Sequence, residues 1–184
     1  MNDAEVLKDL DRSLNIVDEK IKPIVEKLLP GWKMMRVEGR DNEVCQVLDM
    51  SCGVDYLLVS GGCDMIYGAA SRVQYGKNYR TFTVRKSRES GAITEYEKKA
   101  LAIRNRAICP KYSIHAYVSD EEVLGLAITK TEDLIDFIGR DLADVRQTNT
   151  DKIGQAEFYV CHWDKMKNCG YQILEYMQNE PKYK

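Results

Sequence analysis

The chain has 184 residues, of which 44% are AVILMFWYC and 30% are charged, with a net charge of −2. This composition excludes a disordered chain, and no apolar run approaches the roughly 20 residues that a membrane-crossing helix needs. The length suits one domain, so residues 1–184 are assigned to a single domain. The acidic opening MNDAEVLKDLDRSLN lacks the pattern of a secretory signal, so a cytoplasmic protein is expected.

In chain order, residues 4–29 predict a helix, with Asp3 as its cap. Leu7, Leu10, Leu14, Val17, Ile21, Ile24 and Leu28 recur at spacings of three and four. Pro23 inside this stripe predicts a kink near Ile21-Lys22, and Pro30-Gly31 ends the helix. Strands are predicted over Trp32–Glu38, Val44–Met50, Val54–Val59, Met65–Tyr75 and Arg80–Lys86. The last two are separated by the turn Gly76-Lys77-Asn78, which reads as a hairpin. In the last strand Phe82 and Val84 share one face, while Thr81, Thr83 and Arg85 share the other.

Thr94-Glu95-Tyr96-Glu97 is a capping box that opens a helix running to about Arg106. Ser113–Val118 and Val123–Thr129 predict a strand pair, Thr131–Gly139 a short helix capped by Thr131, and Ala156–Trp163 a further strand. Met166–Met177 has no clear period. The sum is an α/β (α+β) domain with a central mixed β-sheet flanked by helices.

The charge is unevenly spread. Residues 72–106 hold ten Lys and Arg against Glu89, Glu95 and Glu97, whereas the flanks on both sides are acidic. Such a window attracts polyanions, and Arg suits the bidentate recognition of phosphate. Arg80, Arg85, Lys86, Arg88, Lys98 and Lys99 are the candidate nucleic-acid-binding residues. The competing reading is a solvated basic face paired with the acidic helices. Tyr56, Tyr67, Tyr75, Tyr79, Phe82 and Tyr96 lie near the window; exposed tyrosines among them would stack on unpaired bases, and others belong to the core.

The remaining motifs carry less. The six cysteines form no C-x-x-C pair, and Cys161-His162 with Cys169 fits no common zinc spacing. Ser60-Gly61-Gly62 lacks the Lys-Ser/Thr of a phosphate-binding loop. His115 and His162 read as partly buried structural residues.

The order helix, strands, helix, strand, together with the stretch from Leu48 to Leu58 around Asp49 and Asp55, resembles the PD-(D/E)XK nuclease superfamily. Members of that superfamily share an αβββαβ core, like that of restriction endonucleases. The wider block from Asp49 to Lys98, with ASRVQ, TFTVRKSRESG and TEYEKK, also looks like uncharacterised proteins of phages and mobile elements. The resemblance implies a divalent-metal-dependent nuclease. In it Asp55 and Asp49 would bind Mg²⁺, while Arg72 and Gln74 on the next strand would face the phosphate and the attacking water. Glu19 or Glu26 would add a carboxylate from the first helix.

The sequence departs from the superfamily at the acid-x-lysine motif, where it offers Ala70-x-Arg72 or Arg72-x-Gln74. Asp49 and Asp55 also fit as turn and strand-start acids beside Gly53. Three functions stay open: a nuclease, a non-catalytic nucleic-acid binder of phage or mobile-element type, and a protein-interaction (counter-defence) module. The oligomeric state is not readable.

Overall fold

A computed structural model of the chain describes residues 15–37, 42–62, 64–87, 91–147 and 156–178. Asp3 and the first three leucines of the predicted stripe lie outside them, as does Arg88. The helix α1 (Lys22–Leu28) is entered through a wide π-type turn, Val17–Ile21, and Pro23 sits in its first turn, where a missing N–H costs little. The expected kink is therefore a wide turn. The extra residue per turn rotates the succeeding helix, so Val17, Ile21 and Val25 are the fully buried positions, while Ile24 is only partly buried.

The strand predicted over Val44–Met50 is helical. Asn42 accepts a hydrogen bond from the Cys45 backbone N–H at 2.9 Å and caps α2 (Glu43–Gln46), which continues into a second wide turn, Val47–Ser51. The local cap prevails because the apolar residues do not alternate strictly. Val44, Val47 and Met50 fall at i, i+3 and i+6 and are 69%, 57% and 75% exposed.

Six strands form the main sheet in the order β1 (Trp32–Arg36), β2 (Tyr56–Ser60), β3 (Ile66–Tyr75), β5 (Tyr112–Ser119), β6 (Glu122–Lys130) and β9 (Ile173–Met177). Only β3 and β5 run parallel, and α3 (Glu95–Arg104) lies between them in the chain. A smaller antiparallel sheet has the order β4 (Thr81–Arg85), β8 (Glu157–His162) and β7 (Asp144–Gln147). The fold is thus a mixed α/β arrangement built on a mixed sheet.

The β3–β4 hairpin expected from Gly76-Lys77-Asn78 does not form. Gly76 and Arg80 adopt positive φ, the Asn78 side chain accepts the Arg80 N–H at 2.9 Å, and the chain swings off the main sheet to pair with β8. The capping box at Thr94 is present in both directions. Thr131 opens α4 (Thr131–Gly139) without capping it; its hydroxyl instead meets that of Ser113 at 3.0 Å, both buried. α5 (Trp163–Asn168) and β9 occupy the segment without a clear period, and β7, every residue exposed, had no alternation to betray it.

Strand alternation sorts the main sheet into two faces. Met34, Tyr56, Leu58, Ile114, Ala116, Leu126 and Ile128 pack under the first helix as one apolar cluster. Tyr117 and Ala127 point the other way and join Phe82 and Val84 of β4, Leu134 and Phe137 of α4, and Trp163 of α5. No helix among the described residues is long and apolar enough to cross a membrane.

Candidate functional site

The second face of β3 carries Ala70, Arg72 and Gln74, which stand beside Ser113, His115 and Tyr117 of β5 in parallel register. Arg72 and Gln74 therefore share a face, as their spacing predicts. The Arg72 guanidinium donates to Thr83 Oγ1 at 3.2 Å and to Glu95 Oε2 at 2.7 Å. Glu95 is delivered by the capping box at the start of α3; one turn later Lys99 donates to its other oxygen at 2.7 Å. Burial alone would raise the Glu95 pKa. The charges of Lys99 and Arg72, with hydrogen bonds from Lys99 and the Arg85 N–H, outweigh that and bring it to about 2. Glu95 is thus a carboxylate clamped between two cations, one of which, Lys99, is itself buried.

His115 is buried, stacked on Tyr117, and accepts the Thr83 N–H on Nδ1 at 3.4 Å. Its removal from water, reinforced by the positive charge of Arg72, lowers its pKa to about 3, so the ring is neutral. The ring is thus fully buried where a partly buried one was expected, and its Nε2 has no hydrogen-bond partner among the described residues. Asp55 precedes β2, and its carboxylate accepts the Ser71 N–H at 2.6 Å, which holds the entry of β2 against β3. Asp49 lies in the wide turn after α2; its carbonyl accepts the Gly53 N–H at 3.0 Å, and its half-buried carboxylate has no partner among the described residues.

Three cavities adjoin at Arg72. The first, about 280 Å³, is lined by Asp49, Met50, Arg85, Glu95, Lys98 and Lys99, among others. The second, about 240 Å³, holds Asp55, Ser71, Thr83 and His115, and shares Gly53, Arg72, Glu95 and Lys99 with the first. The third, about 590 Å³, runs between the β3 face and the small sheet. It contains Arg72, Gln74, Tyr79, Arg85, Arg146 and Phe158, and no carboxylate among its described lining residues. The guanidinium groups of Arg72 and Arg85 both lie over the Phe158 ring, at 5.8 and 5.5 Å.

The candidates named from sequence are only partly brought together. Asp49 and Asp55 line separate cavities that meet at Gly53 and Arg72, and Gln74 faces the third. Glu26 bonds Lys33 and the Met34 N–H, so it serves the β1 entry, and Glu19 is exposed on the first helix; neither lines the three cavities. Among the described residues no three His, Cys, Asp or Glu side chains gather as a metal cluster. The third carboxylate beside Asp49 and Asp55 is Glu95, and each of its oxygens already holds a cation. The donor set therefore does not fit Mg²⁺ as it stands.

Of the basic candidates, Arg85, Lys98 and Lys99 line the first cavity. Arg80 reaches away from it to Asp164 at 2.9 Å and Glu175 at 3.4 Å, and Lys86 pairs with Glu157 at 3.3 Å. Sequence reasoning missed Arg146 and Gln147, which β7 brings into the third cavity from outside the basic window. No family model, curated protein or solved structure matches the chain.

Proposed function

We propose that the protein binds nucleic acid, gripping the phosphate backbone in the groove between β3 and the small sheet. The observation that carries this reading is the third cavity: Arg72, Arg85 and Arg146 converge on it, and no carboxylate lines it among the described residues. Guanidinium forks match phosphate oxygens, and each phosphate neutralised releases counterions. Phe158 holds two of the three guanidinium groups against its face, and Tyr79, exposed at the rim, adds a stacking surface. The groove passes through Arg72 and Arg85 into the first cavity, where Lys98 adds an exposed cation.

A second reading, a PD-(D/E)XK-like nuclease, draws support from topology. With α2 between β1 and β2, and β4 between β3 and α3, set aside as insertions, the first helix, the antiparallel run β1-β2-β3, α3 and a β5 parallel to β3 fall in the αβββαβ order of that superfamily. In this reading Asp55, which precedes β2 and accepts the Ser71 N–H, would serve as the strand-start acid. Glu95, arriving from the helix, would supply the carboxylate missing from β3. Binding is favoured over cutting because Glu95 is neutralised by Arg72 and Lys99, and added positive charge opposes a divalent cation.

The test uses fluorescence anisotropy with labelled DNA and RNA across a salt series, and a gel assay for cleavage in Mg²⁺ and Mn²⁺. Salt-sensitive binding weakened by Arg146→Ala, with no cleavage, is the expected result. Cleavage abolished by Asp55→Ala would move the protein to the nuclease reading. Absence of binding at low salt, with a stoichiometric protein partner instead, would overturn both in favour of an interaction module.

A further inference from the structure

The first cavity differs from the groove it joins. Its lining combines charge, with Arg72, Arg85, Lys98 and Lys99 against Asp49 and Glu95, and exposed apolar side chains. Met50, Ile93 and Ile108 come to it from three separate segments and are 75%, 48% and 67% exposed. Three large apolar side chains exposed around one cavity offer a surface that a bound group would remove from water. A phosphate backbone alone has no use for such a surface. A flat apolar group attached to a phosphate does.

Resting on the reading of the groove as a phosphate track, we infer that the first cavity receives an unpaired nucleobase, so that the ligand is single-stranded. Three observations converge. The cavity shares Arg72 and Arg85 with the groove, so a chain lying along the groove has its next substituent at this mouth. Its volume of about 280 Å³ and the apolar Met50, Ile93 and Ile108 in its lining suit a planar ring system, which packs on Met and Ile by dispersion and loss of water. Asp49 places a carboxylate without a partner among the described residues in the same wall, and a carboxylate accepts from the N–H groups on the pairing edge of a base. A base in a duplex has that edge occupied by its partner strand; only an unpaired base presents it. An acidic protein segment with apolar side chains would also satisfy the charged and apolar lining, and its backbone N–H groups would serve Asp49; the continuity of the cavity with the groove through Arg72 and Arg85 favours the nucleotide, and a peptide competitor tests the alternative.

The experiment compares a mixed-sequence 12-nucleotide strand with its duplex, using the full chain and the double variant Met50→Ser/Ile108→Ser. Both positions are mostly exposed, so the variant keeps the core intact. The expected result is tighter binding of the single strand than of the duplex. The double variant should lower single-strand affinity about tenfold, in line with the loss of apolar burial of one base, and leave duplex affinity unchanged. Equal affinity for strand and duplex, or unchanged single-strand binding by the variant, overturns the inference. So does displacement of the strand by an acidic leucine-containing peptide from the wild type but not from the variant. If Arg146→Ala weakens binding while the double variant does not, only this inference falls. If neither nucleic acid binds at low salt, the groove reading falls with it.

Discussion

The two faces of the six-stranded sheet are built from the same strands yet solve different problems. Under the first helix, Met34, Tyr56, Leu58, Ile114 and Leu126 close a continuous apolar layer. On the opposite face the same strands present Arg72, Gln74, Ser113 and His115, and their cover is a small sheet and α3 rather than one sealing helix. The first face secures the fold by excluding water. The second uses hydrogen bonds and ion pairs to hold polar groups in place and keeps cavities open. A residue one step along a strand changes from one task to the other.

The contrast breaks most sharply in the core. Leu58→Ala removes a fully buried side chain from the sealed face and should cost about 2–5 kcal/mol in chemical denaturation, through lost burial and the cavity left behind. Ser113→Ala on the open face loses one hydroxyl hydrogen bond to Thr131 and should cost only about 1 kcal/mol. If the two substitutions cost the same, the two faces do not differ as described.

Glu95→Gln comes next. It keeps the shape but leaves Arg72 and the buried Lys99 without their shared negative charge. About 2–3 kcal/mol of stability should be lost at neutral pH, the size implied by a carboxylate held at about 2 instead of 4.5 and about a quarter exposed. The sign follows from the depressed folded value: the contribution is complete above pH 4.5 and fades as pH falls toward 2. Acid titration of stability should therefore lose its steepest limb in the variant. An unchanged acid limb would remove Glu95 from the centre of the network.

His115 sharpens the same contrast over a higher pH range. Its folded pKa of about 3 lies below the ordinary 6.5, so the unfolded chain takes up a proton that the folded chain refuses. Stability should be unaffected by this group above pH 6.5 and should fall below it, at up to about 1.4 kcal/mol per pH unit until about pH 3. His115→Phe should flatten that slope, measured as denaturation midpoints between pH 7 and pH 4. A slope that persists in the variant would have to come from another group.

Much of this arrangement could be read from the sequence, and the exceptions share a cause. The alternation of Ser113–Val118 and the shared face of Arg72 and Gln74 follow from the period of a strand. The capping box Thr94–Glu97 follows from a local exchange of hydrogen bonds. The departure of β4 was not legible, because its partner β8 lies more than seventy residues later and the local turn signal points to a hairpin. Glu95 looked like a mere capping-region acid, though the same box aims it at Arg72. Arg146 lay outside the basic window and enters the groove only because β7 pairs with β8. Composition counts cations but cannot tell which are neutralised by distant carboxylates, and Arg80 and Lys86 are neutralised in that way.

The difference between neutralised and unopposed cations has the smallest effect on stability and the clearest one on binding. Arg146 and Arg80 are both arginines, one outside the basic window and one inside it. Arg146 is exposed in a groove without lining carboxylates among the described residues. Arg146→Ala should therefore weaken nucleic-acid binding and lower the slope of log affinity against log salt by about 1, as expected when one phosphate is no longer neutralised. Arg80 is held by Asp164 and Glu175, outside the three cavities. Arg80→Ala should leave affinity and salt slope unchanged and cost at most about 1 kcal/mol of stability, the usual value of a partly exposed ion pair. Position in sequence favours Arg80 as the phosphate-binding arginine, and position in the fold favours Arg146. If Arg80→Ala proves the more damaging to binding, the ligand follows the charge window of the sequence, and the groove between β3 and the small sheet is not where it lies.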